Sequence, residues 1–252
     1  MYDGSALPGI NTVSGPVLPD PDDFLLRRRR PQPAFCDAVT GFSAYAERQG
    51  GHFRQVEAAS LVVPFIISFS SPFTIALGRV PEPHERFDCF TSGLFVGPAI
   101  IDSCGDSACI QVDFTPLGAR RFFALPMDEL ASRMVPLDAV IGSVARNLRE
   151  RLGAEPDWER RLDIAESFVY RRLLRSFSPD RRTALAVRSI HISRGSASIT
   201  GLASDLACSR KHLNDLFRRD IGVAPKTYAR MVRFHQVRSL ARSGESDWAD
   251  IA

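Results

Sequence analysis

The sequence predicts an α+β chain, β-rich in its first half and helical in its second. Three observations carry this. Short runs of β-branched and aromatic residues, separated by turn residues, recur between about Phe35 and Leu125. Apolar stripes at helical spacing replace them beyond that point. Charge is also uneven: residues 181–252 hold 13 Lys and Arg against 6 Asp and Glu, while the remainder balances at −4.

With 252 residues the chain has room for one large domain or two ordinary ones. Its composition, 44% hydrophobic and 24% charged, is that of a globular protein. The longest apolar-rich run, Leu61 to Leu77, is broken by Pro64, Pro72 and several serines, so it does not suit a bilayer. No basic stretch with an apolar core opens the chain, which predicts no signal peptide and a cytoplasmic location. Five cysteines (Cys36, Cys89, Cys104, Cys109, Cys208) form no CxxC pair. Cys104 and Cys109 flank G-D-S-A and could meet across a hairpin; otherwise all five pack as small reduced thiols. No His and Cys set completes a zinc site, and no cofactor is expected.

Residues 1–34 are rich in Pro and Gly without apolar periodicity and read as a disordered tail. Within it, Arg27–Arg30 is a solvated charge cluster or a contact to DNA or lipid. Residues 35–125 carry the strand-like runs S-L-V-V-P-F-I-I-S-F, P-F-T-I-A-L, L-F-V-G-P-A-I-I-D and A-C-I-Q-V-D-F, the last two joined by C-G-D-S as a hairpin. Strands at this spacing predict a small barrel or sandwich able to enclose one small ligand.

Residues 126–180 form a helical connector. Val140, Val144, Leu148 and Leu152 recur every four residues and stop at Gly153. A second helix opens at Pro156 and Asp157, carries Trp158, Leu162, Ala165, Val169 and Leu173 on one stripe, and ends at S-P-D. Such a pair can dimerise, cover the barrel, or simply connect.

Residues 181–252 carry the most informative segment, I-T-G-L-A-S-D-L-A-C-S-R-K-H-L-N-D-L-F-R-R-D-I-G at 199–222. Ile199, Leu202, Ala203 and Leu206 make one apolar face of a short helix, with Ala203 small enough to let a second helix cross closely. Ala207-Cys208 turns the chain, at a place where many such motifs have Gly. Ser209 caps a second helix with inner face Leu213, Leu216 and Phe217, and Gly222 ends it. Two short helices, a tight turn and a basic outer face describe a helix-turn-helix. On the outer face Lys211 can donate to guanine, Asn214 can pair with adenine, and Asp215 can accept from cytosine or orient Lys211. Ser209, Arg210, Arg218 and Arg219 suit phosphates. The bland alternative is a surface helix with ordinary ion pairs.

A longer helix opens at Pro225 with inward Tyr228, Met231, Phe234, Val237 and Leu240. After it, S-D-W-A-D-I-A repeats the start of the first motif, with Trp248, Ile251 and Ala252 matching Ile199, Leu202 and Ala203. These residues read as the first turn of a second helix-turn-helix, cut before its recognition helix.

On these residues, 184–252 resemble the DNA-binding region of AraC/XylS-type transcriptional regulators, which joins two helix-turn-helix units by one long helix. F-V-G-P at 95–98 and V-D-F-T-P-L-G-A-R-R-F-F at 112–123 resemble a cupin-like sensor domain found in many bacterial regulators of this kind. The resemblance implies a sequence-specific regulator that binds double-stranded promoter DNA, with recognition helices in major grooves about 34 Å apart. It also implies an N-terminal domain that binds a small-molecule effector, forms a homodimer, or both; contact with RNA polymerase is compatible with it, and no membrane is involved. The alternative is a truncated ligand-binding sensor that acts by heterodimerising without holding an operator itself. An enzyme is not expected: His52, His84, His191, His212 and His235 are scattered, and no phosphate loop or nucleophile elbow appears.

Overall fold

The computed structural model describes residues 24–48, 53–103 and 105–243. Its strands are β1 (Phe24–Arg29), β2 (Val39–Glu47), β3 (Phe53–Glu57), β4 (Val63–Ser68), β5 (Phe73–Leu77), β6 (Arg86–Phe87), β7 (Cys89–Ser92), β8 (Ala99–Ser103), β9 (Ser107–Phe114) and β10 (Met134–Pro136). Helix α1 (Pro116–Phe123) and a 3-10 turn at Met127–Glu129 lie between β9 and β10. Then come α2 (Leu137–Ile141), α3 (Val144–Ala154), α4 (Trp158–Leu174), α5 (Arg181–Ile192), α6 (Ile199–Asp205), α7 (Arg210–Ile221) and α8 (Pro225–Ser243). The predicted start of a second helix-turn-helix lies outside the described residues. Among them, no helix is long and apolar enough to cross a membrane.

The strands pair antiparallel in two sheets, ordered β1-β2-β9-β4-β7-β10 and β3-β8-β5-β6. Side chains alternate across the larger sheet, as the strand pleat requires. Phe42, Ala44, Val63, Phe65, Ile67, Ile110, Val112 and Phe114 are at most 1% exposed and belong to the core beneath the helices. Helices α1 and α4 cover that face; Phe65 lies edge-on to Phe122 at 5.2 Å and stacked on Phe168 at 6.3 Å. The intervening Ser43, Tyr45, Ile66, Gln111 and Asp113 face a cavity whose opposite wall is the smaller sheet. The expected β unit is therefore present as two sheets with open edges; among the described residues no pairing closes them into a barrel.

Four local expectations change. C-G-D-S is not a hairpin, because β8 pairs within the smaller sheet and β9 within the larger one, so the chain crosses between sheets there. Cys109 is a free thiol pushed up to about 12 by complete burial, and Cys104 lies outside the described residues.

The predicted tail contains β1, paired with β2 from Phe24 to Arg29. Two of its three arginines are accommodated by a carboxylate row on α4: Arg27 pairs with Glu159 at 2.7 Å, and Arg29 with Glu159, Asp163 and Glu166 at 2.7, 2.6 and 2.9 Å. Four of the stripe residues on α4, Leu162, Ala165, Val169 and Leu173, are buried as expected, but the preceding stripe is broken by Gly142 at φ 67°, leaving Val144 exposed and burying Ile141, Ala145, Leu148 and Leu152. On α8, Tyr228, Met231 and Val232 are buried, whereas Phe234 is 47% exposed.

The connector covers the sheet rather than standing apart from it: α4 packs on β2 and β9. Helix α1 starts with Thr115 capping the Gly118 amide, with Pro116 in the first turn. Gly118 is required there, since a Cβ would fall 1.9 Å from the Ala38 carbonyl oxygen. This placement brings α1 and the 3-10 turn against α7. Asp220 of α7, 1% exposed, accepts from Arg120 Nε of α1 at 3.3 Å, from Thr183 Oγ1 of α5 at 2.9 Å, and from Arg219 Nε and Nη2 at 2.9 and 3.1 Å. Two residues on, Gly222 lets the backbone run so near Met127 that a Cβ would sit 2.8 Å from its carbonyl oxygen.

Burial alone would raise the Asp220 pKa, but hydrogen bonds from Arg219, Thr183 and Arg120 outweigh it and hold the carboxyl below its ordinary 3.8. Its stabilising contribution is therefore complete above that ordinary value and is lost as pH falls through the lower, folded-state value. Asp220→Ala should cost about 3 kcal/mol near neutral pH, read as a lower denaturant midpoint, with the gap to the native chain closing only in strong acid. An equal midpoint at neutral pH would show the cluster to be energetically idle. Ala207 sits in the α6–α7 turn at φ 48°, in the left-handed region. Relief of that strain, less glycine's extra chain entropy, should make Ala207→Gly more stable by about 0.5–1 kcal/mol; a lower melting temperature would refute it.

Candidate nucleic-acid interface

The pair α6 and α7 is built as its sequence dictates. Ser198 caps α6 by accepting from the Gly201 amide, and Ser209 caps α7 by accepting from the His212 amide at 3.0 Å. Leu202 and Ala203 are buried at the crossing, and Leu213, Leu216, Phe217 and Ile221 form the inner face of α7. Gly222 ends α7 at φ 92° with its amide on the Phe217 and Arg218 carbonyls.

Behind α7 the scaffold is closely packed. Tyr228 of α8 is 1% exposed, and its hydroxyl lies 2.8 Å from His191 Nε2 of α5. Burial pushes the Tyr228 phenol up and the His191 imidazole down, so this contact joins two neutral groups at neutral pH. Arg233 of α8 donates to the Gly195 carbonyl in the α5–α6 connection at 2.5 Å.

The predicted site residues divide into three groups. Lys211, Asp215 and Arg218, three and four positions apart, form the exposed outer ridge of α7. Arg210 and Asn214 lie on its flank, and together with Lys211 they line a groove of about 690 Å³. Ser209 is committed to its cap yet stands exposed at the same end of the helix. Arg219 stands apart, on the opposite flank, where its guanidinium forks onto Asp220. Sequence reasoning passed over Lys226 and Arg233, which form the far wall of the groove. One signal was available: Lys211 and Lys226 are the chain's 2 lysines among 30 arginines.

A second cavity, about 740 Å³, lies between the two sheets. Phe73, Phe90, Ile75 and Ile101 make it apolar, while Arg28, Tyr45, Gln111 and Asp113 supply polar groups. Burial pushes the Asp113 carboxyl up, opposed by the Gln111 side chain donating to it at 2.8 Å and by the charge of Arg28. Tyr45 donates to Glu47 beside it, and burial raises its phenol above the ordinary range. Such a mixture of apolar wall and few fixed polar groups suits a small organic ligand. Among the described residues, no group of three or more His, Cys, Asp or Glu is placed to hold a metal ion.

No family model and no curated protein matches the chain. Among solved structures it is similar to the AraC-like transcriptional activator CuxR, at 14% identity over 86% of this chain and 88% of that one, with a TM-score of 0.31. It is also similar to ToxT from Vibrio cholerae O395, at 12% identity over 84% and 85% of the two chains, with a TM-score of 0.40. A ligand-free ToxT variant from Vibrio cholerae strain SCE256 matches at 10% identity over 89% of each chain, with a TM-score of 0.42. All three likenesses lie below a TM-score of 0.5, so the architecture rests on the strand pairing and helix packing of the chain itself.

Proposed function

We propose that this chain is a DNA-binding transcriptional regulator of AraC type, in which α7 reads duplex DNA and the cavity between the sheets takes a small effector. The observation that carries the reading is the outer ridge of α7: Lys211, Asp215 and Arg218 stand exposed on a short helix whose opposite face is fully packed. An α-helix presented in this way fits the major groove. Lys211, Asn214 and Asp215 are assigned to base edges. Ser209, Arg210 and Arg218 are assigned to phosphates. Arg219 is assigned a structural role in place of the phosphate one, because its Nε and Nη2 both donate to the carboxylate of Asp220. The basic balance of residues 181–252 favours approach of a polyanion to this end of the molecule. Action on promoter DNA in the cytoplasm, as a homodimer and without a catalytic step, completes the reading.

The test is a binding titration on a preferred duplex selected from random sequence, compared with duplexes altered one base pair at a time. Asn214→Ala should lose about 1–3 kcal/mol of discrimination at one base pair. A loss of the same size on every duplex would make Asn214 a positioning contact. Arg218→Ala should weaken all duplexes alike and lower the salt slope by about 1. Absence of salt-dependent duplex binding by the native chain would overturn the proposal itself.

A further inference from the structure

The groove beside α7 holds an unbalanced concentration of positive charge. Arg210 and Lys211 border it from α7, Lys226 and Arg233 from α8, and no Asp or Glu among the described residues lines it. All four cations are exposed. Among the described residues, Arg210, Lys211 and Lys226 pair with no carboxylate, and Arg233 is bonded only to a backbone carbonyl. Four like charges around one groove repel one another, and only an anion or solvent relieves that repulsion.

The groove is also preformed. Pro225 is buried beneath it, and Gly195 at φ 82° runs so close to α8 that a Cβ would lie 2.4 Å from the Ala229 carbonyl oxygen. The Arg233 bond to Gly195 ties the α5–α6 connection to α8, so both walls hold their separation. Thr200 offers a hydroxyl on the same lining. Placement of both lysines of an otherwise arginine-bearing chain here adds compact ammonium charges with rotatable donors, which match a phosphate oxygen from several directions.

The geometry points to this groove as the seat of a DNA backbone strand: consecutive phosphodiesters lie between α7 and the start of α8, held by Arg210, Lys226, Arg233 and the Thr200 hydroxyl. The inference rests on the DNA-binding reading and extends it from one helix to a two-walled clamp. Lys211 stands where ridge and groove meet, so a strand seated in the groove sets the depth at which Lys211, Asp215 and Arg218 enter the neighbouring major groove. Helix α8 thereby acts as a contact surface as well as a support for α7.

The experiment compares salt slopes on a short duplex of scrambled sequence for the native full chain, Lys226→Gln, Lys226→Arg and Arg218→Ala. Removal of one phosphate contact lowers the slope of log affinity against log salt by about 0.9. Lys226→Gln should show that loss with an unchanged melting temperature, since Lys226 is exposed and bonded to no described residue, and Lys226→Arg should restore it. A native slope in Lys226→Gln together with a lowered slope in Arg218→Ala would overturn the clamp and leave the DNA-binding reading intact. No duplex binding by the native chain would overturn both. Titration with inorganic pyrophosphate distinguishes a free phosphorylated molecule as the source of the anion. Saturable pyrophosphate binding that Lys226→Gln abolishes, with the DNA slope unmoved, would assign the groove to a small ligand and overturn the proposal.

Discussion

A buried carboxylate, Asp220, ties the β-rich half of this molecule to its helical half. Asp220 accepts from side chains of α1, α5 and α7, and one of these donors, Arg120, belongs to the β-rich half. A carboxylate so buried is tolerable only with such donors, since desolvation without them would cost several kcal/mol. The donors also impose geometry. Arg120 can reach Asp220 only if α1 lies against α7, and that placement follows from Gly118 packing onto the Ala38 carbonyl at the start of β2. The orientation of the candidate reading helix is therefore set by the sheet, through two backbone approaches that only glycine permits.

The ease with which each part could be foreseen follows from how local its cause is. Caps, turn and inner face of the α6–α7 pair are all decided within about two dozen residues, and Ser198, Ser209, Leu213, Phe217 and Gly222 are where local chemistry puts them. The strand runs at β4, β5 and β9 were legible for the same reason. What escaped was decided at a distance. The F-L-L-R-R-R strand has no apolar alternation of its own, because Arg27 and Arg29 on its α4 side meet Glu159 and Asp163, 132 and 134 positions later in sequence. C-G-D-S has hairpin chemistry, yet its flanking strands pair with different sheets. Asp220 and Arg219 looked like an ordinary charged helix end until Arg120 and Thr183 arrived from elsewhere.

The same distinction applies within the candidate interface. Outer-face residues of a helix can be picked out by spacing alone, and Lys211, Asp215 and Arg218 were. A groove needs two walls, and the second wall here starts with Pro225 on the next helix. Nothing in the spacing of α7 says that Lys226 faces Arg210 and Asn214; the Gly195 and Arg233 contacts decide that. Arg219, read from spacing as an outer-face arginine, instead has one edge of its guanidinium on the buried Asp220, a partner that spacing could not reveal.

The seam between the halves also bears on how an effector in the sheet-to-sheet cavity could influence α7. The cavity and α8 meet at the β3–β4 connection: Glu57 lines the cavity, and Arg238 of α8 donates to the nearby Ala59 carbonyl at 3.4 Å. Opening the seam would sacrifice the Asp220 cluster, worth about 3 kcal/mol when one partner is removed, and expose the Met127 and Ile221 surfaces as well. A ligand that couples two sites typically does so with about 1–3 kcal/mol. That is too little to separate the halves and enough to tilt a helix within a seam that stays closed. Within a closed seam, the Arg238 bond to Ala59 links the rim of the cavity to α8, which carries one wall of the groove.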